Sequence, residues 1–145
     1  MQVVLLEKTN QHLLDNVAQG VFDGDIQSEQ LHAFLNCARH CMLLAVADGL
    51  VVGMISAVEY FHPDKPPQLW INEISVAPRH RKQGVGRQLT ETMLEIAQQR
   101  GCSNAWLGTD ISNHSAQQCF GGVPNGKQPS QFLLYEWEIK RHNAT

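Results

Sequence analysis

The sequence predicts a single α/β (α+β) domain over residues 1–145, a mixed sheet with helices packed on it. Three observations carry this. Apolar runs of strand length alternate with stretches whose apolar residues fall at helical spacing. Residues 42–60, MLLAVADGLVVGMISAVEY, split into two apolar runs around Asp48-Gly49, a strong two-residue hairpin signal. A chain of 145 residues, 43% hydrophobic and 17% charged, also buries a real core without covalent staples.

The elements follow in order. VVLL at residues 3–6 suits a strand, and Thr9 or Asn10 offers an N-cap to a helix carrying Leu13, Leu14, Val17 and Ala18, which Gly20 ends. FDGD reads as a loop; Ser28 caps the next helix, whose buried face is Leu31, Phe34, Leu35 and Ala38. The Asp48-Gly49 hairpin supplies two antiparallel strands. HPDKPPQ forbids regular structure for several residues, and LWINEISV then returns to the sheet, with Pro78 just beyond. Val85, Leu89, Met93, Ile96 and Ala97 form one helical stripe, stopped by Gly101. NAWLGT is another strand, NHSAQQCF a short helix interrupted by Gly121-Gly122 and Pro124, and QFLLYEWEI a closing strand.

A formal charge of -3 and a pI of about 6.1 create no global field for nucleic acid or an anionic membrane, so neither is an expected partner. Any anion site must be local. MQVVLLEKTN lacks the apolar core and cleavage site of a secretory signal, and no apolar run approaches bilayer length, so a cytoplasmic protein is expected. Cys37, Cys41, Cys102 and Cys119 form neither a CxxC pair nor a repeated spacing; reduced thiols are expected there, and no metal.

The stretch SVAPRHRKQGVGRQL, residues 75–89, concentrates the chemistry. A glycine-rich turn that opens a helix aims several backbone N–H groups at one anion, helped by the positive end of the helix dipole. Gly84 and Gly86 remove Cβ atoms where a phosphate would approach, while Arg79, Arg81, Lys82 and Arg87 add charge. The spacing is neither a Walker A loop nor a dinucleotide fingerprint. Composition alone fits two readings, a phosphate site and a solvated basic turn whose Gly84 only starts the helix.

Arg81, Gly84 and Gly86 give RxxGxG, set between a strand ending ISVAP and an amphipathic helix. This resembles the acetyl-CoA signature of the GNAT N-acetyltransferase superfamily. Asn113 and Ala116 resemble the second family motif, and the likeness covers nearly the whole chain. It implies a mostly antiparallel, twisted sheet of about six to seven strands flanked by helices, with acetyl-CoA as co-substrate. Carried over by position, Ile74, Ser75 and Val76 would pair with pantetheine amides through their backbones. Arg81, Lys82, Gln83, Gly84, Val85, Gly86 and Arg87 would hold the pyrophosphate, mainly by backbone amides, and Asn113 would contact the pantetheine end.

Acetyl transfer to an amine needs the amine neutral and the leaving thiol protonated. In the family the base is often a carboxylate on the fourth strand, and the matching residue is Glu73. Alternation also singles it out: Glu73 is expected to share a face with Ile71, with Asn72 and Ile74 on the other, so neither face is cleanly apolar. A structural Glu paired with an Arg is the alternative. The sequence departs from the family at the acid, because the position of the usual tyrosine holds Phe120, which donates no proton. The adjacent Gly121-Gly122 also leaves that helix about one turn short. Tyr135 on the last strand is the candidate acid, beside water, Cys119 or His114; Tyr135 packing on the sheet is the simpler alternative.

Within the superfamily, NEISVAPRHRKQGVG, GCSNAWLGTD, Gly121-Gly122 and FLLYEWEI look most like the aminoglycoside 3-N-acetyltransferase-like group. This implies a small cationic acceptor with a primary amine, and carboxylates around the cleft. Candidates are Asp23, Asp25 and Glu29 between the first helices, Asp110 after the fifth strand and Glu136 on the last. A peptide or protein N-acetyltransferase and a catalytically weak acyl-CoA-binding module are the rival readings. A homodimer that exchanges its final strand also fits this fold.

Overall fold

The computed structural model describes residues 1–141. Its sheet has the order β1-β2-β3-β4-β5, built from β1 (Gln2–Leu5), β2 (His40–Ala47), β3 (Leu50–His62), β4 (Lys65–Val76) and β5 (Asn104–Trp106). Every neighbouring pair is antiparallel except β4 and β5, which run parallel. The helices are α1 (Ser28–Leu35), α2 (Val85–Gln99) and α3 (His114–Gly121). The mixed, mostly antiparallel sheet is the expected one, but with five strands where six to seven were expected.

The apolar runs of β2 and β3 are continuous because both faces are covered, as in any sheet sandwiched between layers. Cys41, Leu43 and Ala45 of β2 join Leu89, Met93 and Ala97 of α2 in one core. Leu44, with half-buried Met42 and Val46, joins a second core on the other face with Leu13, Leu14, Leu31 and Phe34. Asp48 (φ 50°) and Gly49 (φ 77°) are both left-handed, as a tight hairpin of this hand requires.

Local chemistry overrode the expected pattern in four places. The first helix is a 3-10 helix over Lys8–Asp15, bent at Asn10. Asn10 accepts from the Glu7 N–H (2.7 Å) and donates to the Leu5 carbonyl (2.8 Å), so it closes a capping box from the third helical position while Glu7, not Thr9 or Asn10, is the N-cap. Ser28 is the first residue of α1, while Gln27 occupies the cap with no side-chain capping bond. HPDKPPQ does not interrupt the sheet: β3 and β4 pair from His62 and Lys65, and an irregularity between Tyr60 and His62 absorbs the prolines. The closing strand is absent, since residues 131–139 pair with no strand and expose Leu133, Tyr135 and Ile139. That run reaches the domain at Phe132, whose ring lies where a Cβ on Gly108 would be only 2.7 Å away.

A fifth departure sets up the site. In the β3–β4 ladder Ser56 opposes Glu73 but Ala57 opposes Ile71, so Asn72 is an extra residue, a β-bulge. The bulge shifts the alternation by one. Ile71 and Ile74 therefore both face the α2 core, and Glu73 faces the opposite side rather than sharing a face with Ile71. The apolar alternation that looked broken in the sequence is continuous in space. Ser56 Oγ, buried beneath the bulge, donates to Asn72 Oδ1 (3.1 Å).

Candidate active site

β5 pairs with β4 only along Gln68, Leu69 and Trp70, where Trp70 stacks on Trp106 at 5.6 Å between ring centroids. Beyond that, residues 71–76 have β3 on one side and no strand on the other. The Ala77 N–H donates to the Val52 carbonyl, and this fixes the alternation of the antiparallel ladder. By that alternation the backbone of Ser75 is directed to Met54, while the backbone groups of Ile74 and Val76 face the open edge. Ser75 turns its hydroxyl the other way, onto the Gly20 carbonyl (2.9 Å).

The open edge leads into the basic turn. Lys82 (φ 58°) and Gly84 (φ 82°) are left-handed and flank Gln83, a backbone pattern that curls successive N–H groups into a concave anion nest. Among the described residues no backbone or side-chain acceptor meets the N–H groups of Lys82, Gln83, Gly84, Val85, Gly86 or Arg87. Six adjacent donors at a helix N-terminus fit a phosphate-bearing ligand. The side chains are less free. Arg81 Nε donates to the Val76 carbonyl (3.0 Å), and Arg87 pairs with Glu91 (2.8 Å), so Arg79 and Lys82 are left as exposed charges.

The two glycines differ in their reasons. A Cβ on Gly84 would meet nothing within 4 Å, so its φ is what requires glycine. A Cβ on Gly86 would lie 3.2 Å from Cys119 Sγ, so there glycine relieves a tight helix-to-helix approach. Burial pushes the Cys119 thiol up, with Arg87 opposing.

On the other face of β4, Glu73 lines a cavity of about 310 Å³ together with Asp23 and Asp25. Partial burial, then the Asp23 carboxylate, hold the Glu73 carboxyl above its ordinary range. Leu14, Phe22, Ile26, Leu31, Phe34 and Met42 form the apolar wall. Sequence reasoning found the carboxylates and missed this wall, although Phe22 and Ile26 bracket the DGD run that drew attention. A larger cavity, about 380 Å³, opens beside β1 and the end of α1. None of its lining residues lies on β4, and Glu7 is its one carboxylate, so the chemistry favours the smaller cavity.

The remaining candidates lie apart from that cavity. Asp110 accepts from Ser112 Oγ (2.6 Å) and the Ser112 N–H (2.8 Å), bonds that hold its carboxyl below the ordinary range. Asn113 Oδ1 caps α3 by accepting from the Ala116 N–H (3.1 Å). Phe120 is half-buried on α3. Tyr135 is 70% exposed and stacks on Trp137, and Glu136 is exposed beside it.

A family model described as the acetyltransferase (GNAT) family matches residues 12–121. The chain belongs to that family. Among curated relatives of this GNAT domain, N-acetyltransferase family 8 member 3 of Mus musculus is 30% identical over 113 residues, covering 74% of this chain and 48% of that protein. N-acetyltransferase 8 of Mus musculus is 35% identical over 102 residues, covering 66% of this chain and 43% of that protein. The chain thus spans about half the length of the curated relatives it matches. An aminoglycoside acetyltransferase from an uncultured soil metagenomic sample, solved with trehalose, superposes with a TM-score of 0.82 at 16% identity, covering 96% of each chain. An aminoglycoside N-acetyltransferase solved with CoA gives 0.70 at 20% identity, covering 95% of this chain and 100% of that one. These likenesses show the fold.

Proposed function

We propose that this GNAT domain transfers an acetyl group from acetyl-CoA to a primary amine of a small cationic acceptor, with Glu73 as general base. One observation carries the reading. The unpaired edge of β4 leads from the segment that bears Glu73 into the turn whose six N–H groups have no partner among the described residues, so a base and an anion holder stand at the two ends of one open edge.

Acetyl-CoA supplies an activated thioester: the amine nitrogen bonds to the acetyl carbon as the carbon–sulfur bond breaks, giving an amide and the CoA thiol. The turn from Arg81 to Arg87 holds the pyrophosphate through its amides, and Ile74 and Val76 align the pantetheine arm by β-augmentation. Asn113 borders the pantetheine end. Glu73 takes the proton of the incoming amine, and a carboxyl held above its ordinary range accepts that proton more readily than a free glutamate does. Phe120 offers no proton to the leaving sulfur. At a reference thiol pKa of about 8.5 the thiolate is a tolerable leaving group, and water protonates it. Tyr135 acts as acid only if the 131–139 run moves onto the sheet. An acyl-CoA-binding module with weak catalysis is the second reading, which Phe120 favours.

An aminoglycoside is the acceptor the sequence resemblance suggests, and Asp23 and Asp25 suit its ammonium groups. The apolar wall of the same cleft does not suit its hydroxyls. A homodimer through residues 131–139 belongs to the same proposal.

Thiol release from acetyl-CoA in the presence of amines tests the reading. Glu73→Gln is expected to lower kcat about 10²- to 10⁴-fold with acetyl-CoA affinity retained, and Gly84→Asp to weaken acetyl-CoA binding at least about tenfold by adding charge and strain to the nest. Acetyl-CoA binding without thiol release for any amine would defeat the enzyme reading in favour of the binding module.

A further inference from the structure

We infer that the acceptor is a monoamine carrying an apolar body and no carboxylate, such as a medium-chain alkylamine or an arylalkylamine. The inference rests on the acetyl-transfer reading and deepens it. Three features of the cavity beneath Glu73 agree on this chemistry.

The first is charge. Asp23, Asp25 and Glu73 line the cavity and no Lys, Arg or His does, so an ammonium is attracted and an α-carboxylate finds no counter-charge. Free amino acids are therefore disfavoured. The second is the wall. Phe22, Ile26, Leu31 and Phe34 come from the loop and helix facing Glu73, and Ile26 is 39% exposed, an apolar surface left for a ligand to cover. The third is size. A cavity of about 310 Å³ sits at the small end of ligand pockets, roughly 300–1,000 Å³, which suits a compact amine. An amine with one ring or a medium-length chain covers the wall, whereas a multi-ring amino sugar turns hydroxyls onto it, with only Gln27, Gln30 and the carboxylates of the lining to pair them.

The test is a homologous series of straight-chain amines from ethylamine to decylamine, with phenethylamine, phenylalanine, spermidine and an aminoglycoside, each followed by thiol release from acetyl-CoA and by calorimetric binding to the CoA-loaded protein. The expected result is a kcat/KM that rises roughly fourfold per methylene, the transfer gain of a buried CH₂, and levels off once the chain outgrows the cavity. Phenethylamine should exceed phenylalanine at least about tenfold. Ile26→Asn, a substitution at a partly exposed loop position, should flatten the series with acetyl-CoA affinity unchanged. A flat series with good turnover, or an aminoglycoside or spermidine preferred over octylamine, overturns the inference and leaves acetyl transfer standing. Chain-length-dependent binding with no thiol release for any amine supports the pocket assignment and overturns the transfer reading instead.

Discussion

Glu73 is an exposed carboxylate whose ionised form the folded protein disfavours relative to the unfolded chain. Partial burial comes first among the causes and the Asp23 charge second, so its folded pKa lies above its unfolded one. The sign then follows. Above the raised value the side chain is ionised in both states and weakens the fold; as pH falls through the raised value towards the unfolded one, that penalty disappears. Glu73→Gln is therefore expected to raise Tm at pH 7 to 8, with the gain vanishing below about pH 4, while activity is lost. Thermal unfolding of both proteins across that range checks it. A structural Glu paired with a cation would give the opposite sign, lower Tm at pH 7, so one titration separates the two roles the sequence left open. The residue type at this position was readable, because a carboxylate inside a strand is conspicuous. Its orientation was not, because a single bulged residue, Asn72, reverses which face every later side chain takes.

Two elements, the first turn of α2 and the helix α3, meet at Gly86 and Cys119. The RxxGxG spacing was legible at once, yet it hides two physical demands that spacing alone cannot separate: a left-handed φ at Gly84 and close packing at Gly86. A double-mutant cycle separates them. Gly86→Ala places a Cβ 3.2 Å from Cys119 Sγ and is expected to destabilise by about 1–2 kcal/mol, and Cys119→Ala should recover at least half of that. Gly84→Ala is expected to cost about 1–2 kcal/mol through its backbone and to gain nothing from Cys119→Ala, since no atom crowds it. Urea unfolding of the single and double variants measures both couplings, and equal rescue at the two glycines would contradict this division. Helices and hairpin were legible for the same reason the motif was, since α2 and the Asp48-Gly49 turn are specified by neighbours in sequence. The 3-10 bend at Asn10 and the β4 start through Pro66 and Pro67 were not, since each depends on bonds or pairings from another element.

At the scale of the molecule, residues 131–139 carry every mark of a strand except a partner. Phe132, Leu133, Leu134, Tyr135, Trp137 and Ile139 are between 63% and 82% exposed, and no backbone hydrogen bond ties this run to the rest of the described chain. Local sequence specifies a strand, but a strand exists only where an edge receives it, and this is the point at which sequence reasoning failed. The free edge of β5 is such a receiver, and β5 of a second copy offers the same edge twice over in a two-fold arrangement. Covering six such side chains contributes roughly 10 kcal/mol or more per chain, against about 4–15 kcal/mol for the lost freedom of two bodies. Reciprocal exchange is therefore expected to give a dimer at micromolar concentration in sedimentation equilibrium. The Leu134→Ser, Trp137→Ser double variant should raise the dissociation constant at least about tenfold, at roughly 1.4 kcal/mol per decade, because each change removes apolar area and buries a hydroxyl on the covered strand. Hydrogen exchange distinguishes the remaining arrangement: a wild-type monomer with protected amides at 131–139 would mean that the strand folds onto its own sheet, and exchange into a second copy would be refuted.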